Sequence, residues 1–217
     1  MIVDERVSCY IKSLTAYNSD FLEKLREKAL EAKVPIIKRE TESFLKTFLL
    51  LKKPKRILEV GAAVAYSSLV MAETLEGNVK ISTIENYEKR VLEARKNIAD
   101  SNYSNTIHLI EEDASKVLKQ LVEKKEKYDF IFMDAAKGQY INWLGPVIKL
   151  LNKEGVLCSD NVLQGGDIVQ SRYLIERRDR SIHSRLREYL YELTHREELS
   201  TTILSLGDGV ALTVLKK

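Results

Sequence analysis

Two short apolar runs of this sequence end abruptly in oxygen-bearing side chains. The first covers Tyr128–Asp134 and is followed by Lys137, and the second ends in Asp160 and Asn161. In an open parallel sheet, ligands bind outside the carboxyl ends of the strands, so these side chains are expected to meet there. Carboxylate and amide oxygens suit a hard divalent cation such as Mg2+. We therefore predict a metal site with Lys137 beside it, a combination that can activate a hydroxyl oxygen.

A second candidate site follows a different strand. Arg56–Gly61 is typical of a strand that enters a glycine turn and then a helix, and Glu85 ends the next strand twenty-four residues after Gly61. An acid at that point can accept hydrogen bonds from ribose hydroxyls. The same features also fit an ordinary βα turn, because Gly61–Ser67 keeps only the first glycine of the dinucleotide fingerprint. A nucleoside cofactor without a pyrophosphate would need only a close backbone approach near Gly61.

Three more residues are candidates for binding that cofactor. Ser67 opens the next helix, where the positive helix end favours a carboxylate. Asp113 and Ala114 follow the third strand, where they can hold an adenine. Asp113 also fits an ordinary helix N-cap, and the two roles are compatible.

Strands and helices alternate from Lys55 onward. Apolar strands are predicted at 56–60, 79–85, 107–111, 128–134 and 156–160, with helices between them at 66–75, 88–101 and 115–123. This alternation predicts a parallel sheet covered on both faces. A long helical region is predicted at 168–194. Strands at 202–206 and 210–215 follow, joined by Gly207-Asp208-Gly209, which signals a hairpin.

This order of elements predicts an α/β fold of the Rossmann-like, class I methyltransferase type. We expect a seven-stranded sheet that ends in an antiparallel hairpin. Residues 1–217 are predicted to form a single domain, with extra N-terminal helices at 1–53 and the Rossmann-like core at 54–217.

Composition narrows the class of protein. The 217 residues are 44% hydrophobic and 31% charged, as in ordinary globular proteins. No apolar stretch approaches the length of a membrane span and no secretory signal is evident, so we expect no membrane partner and a cytoplasmic location. Cys9 and Cys158 follow no metal spacing and are predicted to be reduced thiols. The net charge of +3 is too small to indicate nucleic-acid binding by itself.

At this point the chain resembles the Mg2+-dependent O-methyltransferases of the catechol and caffeoyl-CoA type. The motifs that carry the resemblance are Glu59-Val-Gly61, Tyr66-Ser67, Glu85, Asp134-Ala-Ala-Lys137-Gly-Gln-Tyr140 and Asp160-Asn161-Val162. The resemblance implies Asp134, Asp160 and Asn161 as Mg2+ ligands and Lys137 as the catalytic lysine. It also implies S-adenosylmethionine as the cofactor, bound by Ile36, Glu59, Gly61, Ser67, Glu85, Asp113, Ala114 and Asp134.

The segment Ser171–Arg187 contains six arginines and only two acids. Such a segment fits phosphate binding, and it fits a solvated helix with local ion pairs such as Glu176–Arg180 equally well. The segment resembles the bacterial tRNA 5-hydroxyuridine methyltransferases, which make 5-methoxyuridine at the wobble position. That resemblance implies a tRNA anticodon stem-loop as partner, contacted by Arg172, Arg177, Arg178, Arg180 and His183. His183 also fits a simple polar partner within a helix.

Two alternative functions stay open at this stage. A small-molecule O-methyltransferase acting on catechols or other phenols explains everything except the arginines. A non-catalytic RNA-binding protein with a methyltransferase fold is disfavoured by the intact set of Asp134, Lys137, Asp160 and Asn161.

Other features refine these expectations. Ala62–Ala65 stands where relatives are glycine-rich, which affects the geometry of the cofactor loop. Ala136 stands where animal catechol enzymes carry a tryptophan, which favours a wider substrate entrance. Trp143 is predicted to be a core or interface residue. The amphipathic N-terminal helices exceed what one sheet face needs, and we expect a homodimer.

Overall fold

One seven-stranded sheet organises the structure, a computed structural model that describes residues 4–216. Its order is β3-β2-β1-β4-β5-β7-β6. Strands β1 to β5 are parallel, and β7 lies antiparallel between β5 and β6. The strands are β1 Arg56–Val60, β2 Lys80–Glu85, β3 Ile107–Glu111, β4 Tyr128–Met133, β5 Leu151–Ser159, β6 Leu199–Leu204 and β7 Val210–Leu215. The predicted class I methyltransferase layout with its C-terminal hairpin is confirmed.

Eight α-helices of the described residues cover the sheet or precede it. They are α1 Glu5–Leu14, α2 Asp20–Glu31, α3 Arg39–Lys52, α4 Tyr66–Thr74, α5 Glu88–Ala99, α6 Ala114–Glu123, α7 Tyr140–Leu150 and α8 Arg180–His195. Within residues 4–216, no helix combines the length and apolar character that crossing a bilayer requires.

The core is divided between the two faces of the sheet because successive strand residues point to opposite sides. Ile57, Phe130 and Phe132 pack with α2 to α5 on one face. Leu58 and Ile131 pack with α6, α7 and α8 on the other. All five side chains are fully buried. This continuous burial fixes the register of β1 and β4, and with it the position of the residues that follow these strands.

A buried charged network attaches the N-terminal helices to the core. Glu42 of α3 has no exposed surface and accepts hydrogen bonds from Tyr66 Oη at 2.7 Å and Arg26 Nη1 at 3.2 Å. Arg39 Nη1 donates to the same carboxylate at 3.1 Å. Arg26 also donates to the carbonyl of Ile37 at 3.1 Å. The network joins α2, α3 and α4 and holds the loop between α2 and α3 against the sheet.

The prediction of one long helix at 168–194 was wrong in its first half. Short 3-10 turns lie at Gln164–Val169 and Arg172–Leu174, and the α-helix begins only at Arg180. Gln170, Ser171 and Ile175 have extended backbone conformations, with ψ values of 160°, 137° and 140°, which interrupt any regular helix before Arg180. The predicted Glu176–Arg180 ion pair is also absent from the described residues, because Glu176 pairs with Arg178 at 2.9 Å.

Two strands differ from the prediction by more than one residue at a boundary. Strand β5 begins at Leu151 instead of residue 156, and its register with β4 shifts between the pairs Tyr128–Leu151 and Phe130–Val156. Strand β6 covers Leu199–Leu204 instead of 202–206, because it pairs along the whole length of β7.

Candidate active site

A cleft of about 620 Å³, the main cleft, opens at the carboxyl ends of β1 to β4. It adjoins the switch point between β1 and β4, where the strand order reverses. Nine predicted site residues line it: Ile36, Gly61, Ser67, Glu85, Asp113, Ala114, Asp134, Lys137 and Asn161. Glu59 and Asp160 lie behind its wall, and the predicted RNA contacts lie on a separate surface.

The turn after β1 requires a glycine for reasons of chain packing. Gly61 has φ +103°, and a Cβ there would lie 2.1 Å from the carbonyl oxygen of Asp134. Gly61 therefore lies against the end of β4, and the close approach of its backbone to the cofactor stays a prediction. Ala63 and Ala65 adopt left-handed conformations, with φ +46° and +63°. The alanines thus take conformations that favour glycine, at a cost in backbone strain.

Glu85 is fixed at the end of β2 by backbone groups. One carboxylate oxygen accepts from Ala63 N at 2.8 Å, and the other accepts from Asn86 N and Tyr87 N at 3.0 Å. A carboxylate has about four acceptor positions, so these three bonds leave capacity for a ribose hydroxyl.

Glu59 does not line the main cleft, so the structure does not support the direct cofactor contact predicted for it. The residue instead holds neighbouring elements in place from beneath the cleft. Its carboxylate has no exposed surface and accepts hydrogen bonds from Ser68 and from Thr83 Oγ1, the latter at 2.5 Å. Burial, followed by the charge of Asp134, raises the pKa of the Glu59 carboxyl, against the opposing hydrogen bonds. Glu59 therefore fixes the first turn of α4, which carries Ser67, against β1 and β2.

Asp113 has the capping role predicted for it. Its side chain accepts from Ser115 N at 3.0 Å and Lys116 N at 3.3 Å at the start of α6. Ser115 Oγ in turn accepts from Trp143 Nε1 at 2.9 Å. Trp143 is buried, as predicted, and also forms part of the cleft wall.

The predicted metal ligands lie at the ends of two adjacent strands. Lys137 Nζ lies 3.2 Å from Asp134 Oδ1. Asp160 is only 2% exposed, and its Oδ1 accepts from Asn161 N at 2.8 Å. Asn161 has φ +58°, a conformation that asparagine tolerates better than most residues. The two strand ends thus bring two carboxylates, an amide and an ammonium group together.

Tyr140 joins these strand ends. Its hydroxyl lies 3.1 Å from the carbonyl oxygen of Met133 and 3.2 Å from that of Asp160, and it accepts from Ala135 N at 3.2 Å. The ring is fully buried. The sequence motif included Tyr140, but only the structure reveals this positioning role.

The donor set fits a hard divalent cation. Burial, and then the charge of Asp134, raises the pKa of the Asp160 carboxyl to about 7. A cation would stabilise both carboxylates in their charged form. Among residues 4–216, no cluster of three or more His, Cys, Asp or Glu side chains can hold a metal. A site here consequently needs the amide oxygen of Asn161 and oxygens from solvent or substrate.

Asp208 is a cleft residue that sequence reasoning used only as a turn signal. Its Oδ1 pairs with Lys38 Nζ at 2.7 Å, and its Oδ2 lies 3.5 Å from Asn161 Nδ2. Both partners also line the main cleft. The hairpin turn therefore orients the Asn161 amide and connects it to the loop before α3.

The predicted RNA contacts are not equivalent. Arg172, Arg177 and Arg178 are exposed, and Arg178 pairs with Glu176 and Asp179. Arg180 instead donates to the carbonyls of Ile175 and Tyr173, at 3.0 and 3.2 Å. Two further arginines likewise attach α8 to its neighbours: Arg185 to Gly138 O and Arg187 to Ile168 O. His183 is 2% exposed and has none of the polar partners expected for it in the described chain.

Comparison with known proteins finds relatives over most of the chain. The sequence model of the O-methyltransferase family matches residues 12–217. A caffeoyl-CoA O-methyltransferase of Citrus natsudaidai is 32% identical over 78% of this chain and 75% of its own. A catechol O-methyltransferase of Niastella koreensis is 30% identical over 76% of each chain. The methyltransferase PaMTH1 of Podospora anserina, solved with S-adenosylhomocysteine bound, superimposes with a TM-score of 0.87 at 25% identity, covering 98% of this chain and 95% of that one.

Proposed function

The chain belongs to the O-methyltransferase family, and we propose that it methylates 5-hydroxyuridine at the wobble position of tRNA. The methyl donor is S-adenosylmethionine, and the product is 5-methoxyuridine. The observation that carries the proposal is the meeting of Asp134, Lys137 and Asn161 in one cleft wall, with an arginine-rich helix attached to the turn that carries Lys137.

The main cleft supports S-adenosylmethionine as the donor. Glu85 has acceptor capacity for the ribose, and the base can lie near Asp113 and Ala114. Ser67 lies at the start of α4, where the helix dipole favours the cofactor carboxylate. A methyl sulfonium is already strongly electrophilic, so the protein mainly has to align it with the attacking oxygen.

We propose Mg2+ as the resident metal, held by Asp134, Asp160 and Asn161. When bound, the ion lowers the pKa of a coordinating hydroxyl. The C5 hydroxyl of 5-hydroxyuracil adjoins the C4 carbonyl, so this base offers two neighbouring oxygens, as a catechol does. The same ligand set therefore suits both substrates.

Lys137 is the proposed catalytic residue. Its ammonium group lies 3.2 Å from Asp134 Oδ1 and forms part of the cleft wall, so it is close to where the substrate hydroxyl would enter. In its neutral amine form Lys137 can accept the hydroxyl proton, and the ammonium group that results can stabilise the developing oxyanion.

The RNA part of the proposal rests on the exposed arginines. Arg172 and Arg177 are exposed, and their guanidinium groups suit phosphate oxygens. An unpaired anticodon base can be turned out of its loop into a protein pocket. A small-molecule phenol is the second candidate, favoured by the names of the catechol and caffeoyl-CoA relatives.

The test is methyl transfer from labelled S-adenosylmethionine into tRNA that carries 5-hydroxyuridine, with Mg2+ and with EDTA. Controls are tRNA without the hydroxyl, a catechol and caffeoyl-CoA. We expect metal-dependent incorporation of label into the hydroxylated tRNA, at a rate well above that into any control substrate. Label confined to the catechol or the thioester would refute the RNA substrate and leave a small-molecule enzyme.

A further inference from the structure

A second, shallower cleft lies on α8, outside the main cleft. This side cleft has a volume of about 340 Å³ and is lined by Arg172, His183, Ser184 and Arg187. Two of the four residues are arginines and none is acidic. A concave surface with this lining attracts anions.

His183 supplies a second, independent observation. The residue is 2% exposed, and neither Nδ1 nor Nε2 has a hydrogen-bond partner within residues 4–216. A neutral imidazole always carries one N–H donor, and leaving a buried donor without an acceptor is unfavourable. The wall of the side cleft therefore contains a polar group that lacks an acceptor.

The two arginines have donors available for the same ligand. Arg187 uses one Nη1 bond, at 3.3 Å, to hold the carbonyl of Ile168. A guanidinium group has five N–H donors, so most of those on Arg187 remain available. Arg172 lies across the cleft on an exposed turn. An acceptor that reached the His183 ring between these side chains would satisfy its N–H donor.

We infer that the side cleft binds a phosphate group through Arg172, His183 and Arg187, and that this phosphate belongs to the RNA backbone next to the target base. The second half of the inference rests on the proposed function. Arg185 of α8 donates to the carbonyl of Gly138 at 3.2 Å, beside Lys137. An RNA strand whose base occupies the main cleft would thus continue over α8, where a diester phosphate meets the side cleft.

The phosphate site is tested by binding of small phosphate compounds, without tRNA and without methyl transfer. The chain has only three histidines, so the ring signals of His183 can be assigned by NMR. We expect inorganic phosphate, and more strongly a uridine dinucleotide, to shift these signals in the wild type and in Arg95→Gln, a control arginine on α5. Arg172→Gln should weaken the response at least severalfold. An unresponsive His183, or an unchanged response in Arg172→Gln, would overturn the site.

The source of the phosphate is tested by binding and kinetics. Arg172→Gln alters an exposed side chain, so its fold should be retained, and Arg187→Gln serves as a second variant. For each, we expect the salt dependence of anticodon stem-loop binding to fall by about 0.7 in slope per lost contact. The ratio of kcat/KM for the stem-loop to that for free 5-hydroxyuridine should fall as well. An unchanged slope and ratio, with tRNA still methylated, would overturn the inference while sparing the proposed function. Displacement of inorganic phosphate by coenzyme A but not by RNA would assign the site to a thioester substrate and overturn the RNA assignment.

Discussion

Gly61 lets the turn after β1 pack closely against the end of β4. Its missing side chain lets the turn after β1 lie against the Asp134 carbonyl. We expect Gly61→Ala to destabilise the fold by about 2–4 kcal/mol, since it adds both a positive-φ penalty and a backbone clash. Denaturant unfolding measures the stability, and calorimetry of S-adenosylmethionine binding measures the effect on the loop.

Gly145 provides the matched control for this substitution. It lies inside α7, and a Cβ there meets nothing within 4 Å. We expect Gly145→Ala to stabilise the protein by about 0.5–1 kcal/mol. Equal effects of the two alanines would contradict the packing reason given for Gly61.

Glu59 is a buried carboxyl whose raised pKa reflects the cost of its charged form. The pKa of Glu59 in the folded state exceeds the ordinary value of 4.5. The free energy of unfolding therefore decreases as the pH rises from the pKa of the unfolded state through the pKa of the folded state. Glu59→Gln removes that titration. We expect the stability of the variant relative to the wild type to increase from pH 4 to pH 8. Urea unfolding at each pH measures this difference. A difference that stays constant with pH would show that the charged form carries no such cost.

The arginine-rich segment shows why an element cannot be assigned from composition alone. Its residues fit a helix, but extended backbone at Gln170, Ser171 and Ile175 divides the region into short turns before α8. Three of the six arginines hold α8 to neighbouring carbonyls, and the other three make no such bond among the described residues. This division depends on tertiary contacts, so the sequence could not reveal it.

Arg177 and Arg178 allow a direct comparison within this element. Both are exposed, but Arg178 is already neutralised by Glu176 and Asp179. We expect Arg177→Glu to weaken tRNA binding on the order of tenfold at low salt, and Arg178→Glu to weaken it less. Both should change stability by less than about 0.5 kcal/mol. Filter binding and thermal unfolding test this, and an equal loss of activity on the free nucleoside would point to a structural or catalytic role instead.

Across the whole molecule, the sequence predicted the sheet and most of the main cleft. Apolar runs that end in Gly61, Glu85 and Asp134 are local signals, and the topology of a parallel sheet brings strand ends together without further information. Asp208 was not predicted as a cleft residue because its turn is typical of any hairpin. Its partners Lys38 and Asn161 are also distant from it in sequence. Glu59 was misplaced because alternation along β1 decides which side chains reach the cleft.

Helix α1 bears on the predicted homodimer. None of its residues is buried, although Val7, Tyr10, Ile11 and Leu14 are apolar. We propose that a second copy covers this helix, and we expect light scattering to give twice the 24.9 kDa chain mass. Tyr10→Lys with Leu14→Glu should yield monomers. Monomeric wild-type protein at micromolar concentration would refute the prediction.

Asp160→Ala is the most direct test of the central claim that the ends of β4 and β5 form the reactive centre. The measurement is single-turnover methyl transfer at saturating Mg2+, with S-adenosylmethionine affinity measured separately. We expect transfer to fall at least about 100-fold, while cofactor affinity stays within a few-fold because Asp160 lies behind the wall of the main cleft. Transfer at the wild-type rate would contradict the assignment of Asp160 to this centre.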